Sequence, residues 1–136
     1  EEALHLTAEN ASLNNLKVNF IQEDILSGSL NKNYDVIVSN PPYIPNSDKA
    51  KMNSNVLNYE PALALFVDDE SPLIFYERIA RLAITNLNTN GFLFYEIHED
   101  YGVEVQSLLQ SIGFQDVVVL QDLQGKDRMV KAQKKP

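Results

Sequence analysis

The 136-residue sequence contains no cysteine, which excludes disulfides, thiol catalysis and thiolate metal sites. It has two histidines, His5 and His98, too far apart for metal-ligand spacing, and both read as structural. No apolar run approaches the length of a membrane span and no secretory signal opens the chain, so a cytoplasmic protein with no membrane contact is expected. Internal repeats, low-complexity tracts and domain linkers are absent, and nowhere does Gly-x-Gly precede a helix. Basic side chains are scarce: 11 Lys and Arg stand against 19 Asp and Glu, for a net charge of −8. Five of those 11 lie from Leu123 onward beside one acid, Asp127, which leaves the body of the chain strongly acidic. Such a body repels a phosphate backbone, so no direct nucleic-acid contact is expected. What remains is ordinary. At 44% hydrophobic and 22% charged, the chain reads as one globular domain over residues 1–136, burying roughly 70% of its unfolded surface.

The most informative stretch is Tyr34-Asp35-Val36-Ile37-Val38-Ser39-Asn40-Pro41-Pro42-Tyr43-Ile44-Pro45. Val36-Ile37-Val38 is a β-branched run, the pattern of a parallel strand buried on both faces. At Asn40 it gives way to a stiff turn. Pro41 restricts Asn40 and Pro42 restricts Pro41, so the Asn40 side chain sits on backbone with little freedom. A rigid polar group at the carboxyl end of such a strand is where open α/β sheets place their ligands. Asn-Pro is also a common turn dipeptide, and an ordinary turn is the competing reading.

Along the rest of the chain, Glu1 to Asn14 reads as a helix with Leu4, Ala8 and Ala11 on the stripe that would pack on a sheet. Lys17 to Gln22 reads as a short strand. Asp24 either caps the turn beginning at Ile25 or, at a strand end, accepts a hydrogen bond from a ligand. The polar loop Asn46 to Asn58 has the length of a substrate-facing lid. Tyr59 to Phe66 would then re-enter the core, with Glu60 either lining a pocket or capping the segment that Pro61 opens. A helix is expected from Pro72 to about Asn88, buried through Leu73, Tyr76, Ala80, Ala83 and Leu87. A strand over Phe92–Ile97, a helix over Gly102–Ser111 stopped by Gly113, and an antiparallel hairpin of Gln115–Gln121 with Arg128–Gln133 complete the order.

Asn-Pro-Pro-Tyr resembles the signature of methyltransferases that alkylate a planar amide-like or exocyclic nitrogen with S-adenosyl-L-methionine. The element order resembles the later two-thirds of a class I methyltransferase domain. Within that class the chain closely resembles the HemK/PrmC family, which methylates a glutamine side-chain amide in peptide chain release factors. The likeness runs almost end to end, through Glu1-Glu2-Ala3-Leu4, Phe20-Ile21-Gln22 with Asp24, and Val38 to Pro45. It continues in Tyr59-Glu60-Pro61, Ala64-Leu65-Phe66, Phe75-Tyr76, Gly91-Phe92-Leu93 with Glu96-Ile97, and Gly125 with Asp127-Arg128. Asn-Pro-Pro-Tyr alone is shared with DNA adenine methyltransferases, and the Tyr-Glu-Pro and Gly-x-Asp-Arg segments narrow the likeness. Glu23, His98 and Ser71-Pro72 depart from it, standing where the family has a small residue, a strand-ending glycine and a Gly-containing turn.

The resemblance implies an α/β, Rossmann-like sheet of the class I S-adenosylmethionine-dependent type with a C-terminal antiparallel hairpin. It implies that Asn40, Pro41 and Pro42 bind the glutamine amide, with Asn40 and Pro41 holding it and Tyr43 packing on it. It also implies that Asp24 and Ile25 border the adenine and that the rim of Asn40 touches the cofactor. An amide nitrogen is a poor nucleophile. Two acceptors fixing its N–H groups would aim its remaining face at the methyl sulfonium, so catalysis would rest on orientation and on acceptors for developing charge. The family's glycine-rich cofactor loop and ribose-binding acid have no counterpart in this sequence, which therefore reads as a carboxy-terminal fragment, inactive by itself. Two other functions fit the same residues: a nucleic-acid adenine methyltransferase, and a catalytically dead Rossmann-like interaction module.

In the strand order usual for this class, 3-2-1-4-5-7-6, Lys17–Gln22 would be the third strand and Tyr34–Ser39 the fourth. The expectation is that a gap two strands wide cannot stay open. It would be filled by residues outside this sequence or by a partner chain, so self-association through the incomplete sheet is expected.

Overall fold

The computed structural model describes residues 2–136. The chain opens with α1 (Glu2–Leu13); Glu1, expected at its start, lies outside the described residues. There follow β1 (Tyr34–Ser39), β2 (Ile44–Pro45), a 3₁₀ turn (Asn46–Lys51), α2 (Ser54–Tyr59), α3 (Ala62–Leu65) and β3 (Phe66–Val67). Then come α4 (Ile74–Asn86), β4 (Leu87–Glu96), α5 (Gly102–Ile112), β5 (Gln115–Gln121) and β6 (Asp127–Gln133). Four strands form the main sheet in the order β1-β4-β6-β5, and β2 pairs with β3 in a small parallel ribbon. β1 and β4 run parallel, while β4–β6 and β5–β6 are antiparallel. That is the 4-5-7-6 half of the expected order, and the C-terminal hairpin is present.

The core lies on one face of this sheet. Leu93, Tyr95 and Ile97 of the β4 segment, Val130 and Ala132 of β6, and Val117 of β5 point to that side and are buried. Against them pack α4, through Tyr76, Ile79, Ala80 and Ala83, and α5, through Val105 and Leu109. α5 stops where the periodicity placed its end. Gly113 adopts φ 116°, a left-handed conformation that glycine takes without a Cβ penalty, and its N–H reaches back to Gln110 and Leu109 carbonyls.

Three expectations are corrected. Val36-Ile37-Val38 is not buried on both faces. Ile37 joins the core side, but Val36 and Val38 are 49% and 72% exposed on the other, where Phe92 and Phe94 are half-buried and Val118, Leu120 and Met129 are also open. Helices α4 and α5 cover one face, and α1 buries no residue anywhere, although Leu4, Ala8 and Ala11 are its least exposed stripe. Second, Lys17–Gln22 forms no strand. A strand is held by a ladder to a neighbour, and this segment has none, so its backbone stays solvated and Val18, Phe20 and Ile21 are exposed. Third, Tyr59 and Leu63 do not re-enter the core, at 83% and 87% exposure; the chain returns at Phe66 and Val67 through the ribbon with β2.

The coil before β1 is nevertheless tied down. Arg78 of α4 donates to the carbonyls of Ile25 (3.2 Å) and Gly28 (2.6 Å), and Asn86 donates to those of Leu30 (2.8 Å) and Lys32 (3.0 Å). Two side chains, two turns apart on one helix, therefore fix where residues 25–32 run. Among the described residues no helix is long and apolar enough to cross a membrane, and no cluster of His, Asp and Glu is arranged to hold a metal ion.

Candidate active site

Because β1 and β4 are parallel and pair through Ser39 and Tyr95, their next residues, Asn40 and Glu96, emerge together at the carboxyl end of the sheet. Asn40 is exposed there, and among the described residues no hydrogen bond engages its side chain. Pro41 behind it is buried and Pro42 half-buried, so the two prolines anchor the turn while the asparagine faces out. Tyr43 is tied at both ends. Its N–H donates to the Leu65 carbonyl (3.2 Å), and its hydroxyl donates to Glu96 Oε1 at 2.8 Å. Burial, then the hydrogen bond to the Glu96 carboxylate and its negative charge, push the Tyr43 phenol up to about 12.

Cavities flank this turn. Asn40, Pro41, Tyr43, Ile44, Ala64 and Leu65 line a small one of about 70 Å³. On the core side an apolar groove of about 240 Å³ runs between Ile25 and Leu30, the prolines Pro41 and Pro42, and Phe75 of α4. A neighbouring hollow of about 470 Å³ is bounded by Asp24, Ile25, Leu26, Pro42, Leu63 and Phe75. A polar cavity of about 290 Å³ opens beyond Tyr43, lined by Asp48, Lys51, His98, Glu99 and Arg128 among others. Every residue expected at the site thus lines one of three adjoining cavities. Asn40, Pro41 and Tyr43 share one, and Ile25 joins Pro41 and Pro42 in the next. Asp24 joins Ile25 and Pro42 in the third.

The competing readings now have positions. Asp24 does cap its turn: Oδ1 accepts from Leu26 N–H (3.0 Å) and Oδ2 from Ser27 Oγ (3.2 Å). It is exposed on the hollow's rim, and a carboxylate has lone pairs beyond those two bonds. Glu60 is exposed; its backbone N–H closes α2 on the Val56 carbonyl. The segment expected as a lid is partly helical, and its Asp48, Lys51 and Met52 face the cavity beyond Tyr43. Glu23, a departure from the family pattern, accepts from Ser29 N–H at 2.8 Å and so closes the turn over Gly28.

Three side chains were missed in the sequence. Arg78 fixes Ile25. Glu96 receives Tyr43. His98, read as structural, lies edge-on to Tyr43 with ring centroids 6.2 Å apart. The Gly-x-Asp-Arg segment also acquires a role. Gly125, at φ 79°, turns the hairpin, and Arg128 lies between Asp122 (3.4 Å) and Glu99 (3.6 Å), pinning the hairpin to the end of β4. Asp122 and Glu99 titrate below the usual carboxylate range. For Asp122 the main cause is the Lys126 backbone N–H; for Glu99 it is the Lys126 ammonium.

Comparison with known proteins fits this geometry. The description "Methyltransferase small domain" matches residues 1–60. The release factor glutamine methyltransferase of Flavobacterium psychrophilum is 44% identical over 132 residues, 96% of this chain and 46% of that protein. The enzyme of the same name from Bacteroides thetaiotaomicron is 42% identical over 134 residues, 97% of this chain and 48% of that protein. Over nearly its whole length the chain is similar to these release factor glutamine methyltransferases. It spans about half the length of the curated relatives it matches. A solved methyltransferase from Pyrococcus furiosus superposes with a TM-score of 0.66 at 17% identity, over 99% of this chain and 59% of that one, which supports the fold. The fold is therefore a partial Rossmann-like methyltransferase sheet, as the element order implied.

Proposed function

We propose that this chain supplies the amide-presenting side of an S-adenosyl-L-methionine-dependent methyltransferase whose substrate is a glutamine side chain of a peptide chain release factor. The observation that carries the reading is the Asn40-Pro41-Pro42-Tyr43 turn, with Asn40 exposed between an apolar groove and the tethered ring of Tyr43. The proposed partner is a protein, not nucleic acid, in keeping with the acidic body of the chain, and the proposed compartment is the cytoplasm.

The residues present fit one end of the cofactor. A flat aromatic base needs apolar walls and a polar rim. Ile25, Pro42 and Phe75 are shared by the groove and the hollow, and the Asp24 carboxylate lies on the rim. The cofactor, when bound, supplies a methyl group on positively charged sulfur. Asn40 Oδ1 and the Pro41 carbonyl each accept one N–H of the glutamine amide, which turns its remaining face toward that methyl group. An amide nitrogen that accepted that methyl group would become acidic and would lose its proton to water. These two acceptors stabilise the charge that develops meanwhile, and no strong base is required. Tyr43 walls the amide and excludes water from one side.

The test is Asn40→Ala in the full-length protein, with a release factor as substrate. Loss of a preorganised acceptor of this kind lowers the rate on the order of 10²–10³-fold. Affinity for S-adenosylmethionine, measured by calorimetry, should change far less. Equal turnover in mutant and parent would remove the basis of the assignment.

A further inference from the structure

We propose that Glu96 is a positioning residue for this reaction, its carboxylate setting the Tyr43 ring beside Asn40. The inference rests on the proposed function and adds to it a residue that acts through another. Tyr43 follows two prolines and precedes a two-residue strand, so its own backbone leaves the ring's direction to whatever its hydroxyl meets. Its acceptor is Glu96 Oε1, at 2.8 Å and 53 residues away in sequence, with the Arg128 guanidinium also beside the hydroxyl.

Glu96 is well placed to be the fixed partner. It is the last residue of β4, paired with Met129 of β6 on one side and leaving the sheet beside Asn40 on the other. Its backbone is held from below by two core tyrosines. The Tyr76 hydroxyl donates to the Glu96 carbonyl (3.2 Å), and the Tyr95 hydroxyl donates to the Tyr76 carbonyl (2.9 Å). Tyr76 and Tyr95 are themselves packed edge to face, with centroids 5.2 Å apart. The core thus fixes Glu96, Glu96 fixes the Tyr43 hydroxyl, and His98 borders the ring from the side. A hydrogen bond to a charged acceptor contributes more than a neutral one, which suits a ring that must keep one orientation while substrate enters and leaves.

The experiment compares Glu96→Leu, Glu96→Gln, Tyr43→Phe and the Glu96→Leu/Tyr43→Phe double variant in the full-length protein. Methylation of a release factor is followed alongside ¹³C NMR of tyrosines labelled at Cζ, the Tyr43 signal being the one lost in Tyr43→Phe. Glu96→Leu should lower kcat by about tenfold to a hundredfold and move the Tyr43 signal, with little change in the KM for S-adenosylmethionine. Glu96→Gln, which keeps an acceptor, should recover most of the rate. The double variant should be no worse than either single one, because both remove the same contact. Additive losses, or a Tyr43 signal indifferent to Glu96→Leu, would overturn the proposal, as would an unchanged kcat in an active parent. A parent that methylates no release factor would overturn the proposed function itself, and the role of Glu96 with it.

Discussion

Tyr43 shows how much of a site can be read from neighbouring residues and how much cannot. The stiff turn that carries Asn40, Pro41 and Tyr43 was legible because prolines constrain adjacent residues, and that effect is local. Glu96 and Arg78 were not, because their partners lie 53 residues away and only the sheet and α4 bring them together. The same phenol gives a test at this scale. Burial is the first cause raising Tyr43 to about 12, and burial raises Tyr76 and Tyr95 as well. An unfolded tyrosine ionises near pH ~10. The folded-state values lie above that, so the unfolded chain loses its phenolic protons first. The stability these three neutral phenols contribute is complete below about pH 10 and is lost as pH rises through the folded values. Denaturant unfolding at stepped alkaline pH should therefore show stability falling from about pH 10, with tyrosinate absorbance rising in the same step. Tyr43→Phe should flatten part of that fall. Stability that stays level across this interval would contradict the burial and bonding assigned to these residues.

Among the elements, those whose partners lie close in sequence were read correctly. α4, α5 and the β5–β6 hairpin bury their apolar stripes against one another, so periodicity and turn glycines were sufficient. Lys17–Gln22 has comparable periodicity and failed, because a strand also requires a neighbour that no local pattern encodes. The entrance to β4 was only half legible: the strand was expected over Phe92–Ile97, but β4 begins at Leu87 and pairs irregularly with β1 between Tyr34 and Val36. A Cβ on Gly91 would come within 2.9 Å of the backbone carbonyl oxygens of both Asn88 and Asp35. Neither can withdraw without moving a strand, since the Gly91 carbonyl and the Asn90 N–H are also bonded to Lys134. Gly91→Ala should thus destabilise the fold by about 1–3 kcal/mol, the usual cost of forcing volume into a packed position. Urea unfolding should show a lower midpoint with an unchanged slope. An unchanged midpoint would mean that the two strands can part more easily than their spacing implies.

At the scale of the whole molecule, the expectation that a gap beside β1 cannot stay open is overturned for the single chain. β1 is the outer strand, and Val36 and Val38 remain in solvent. The reason is that β1 needs no second neighbour to persist. Its ladder to β4 and the packing of Ile37 hold it, and water satisfies the outward N–H and C=O groups. The apolar face is a different matter, since water does not compensate Val36, Val38 and the half-buried Phe92 and Phe94 beside them. An unpaired edge next to an exposed apolar face is a template for another strand. The 136-residue chain should accordingly self-associate as its concentration rises, through β1, as the incomplete sheet was expected to do. Its net charge of −8 opposes the approach of a second copy, so added salt should strengthen association by screening that repulsion. Val38→Lys sets a charge on the open face of the strand, and should shift the chain toward monomer. Sedimentation velocity over a concentration series, at low and high salt, measures both effects. A chain monomeric throughout, with Val38→Lys indistinguishable from it, would mean that the open face of β1 is stable in water as it stands.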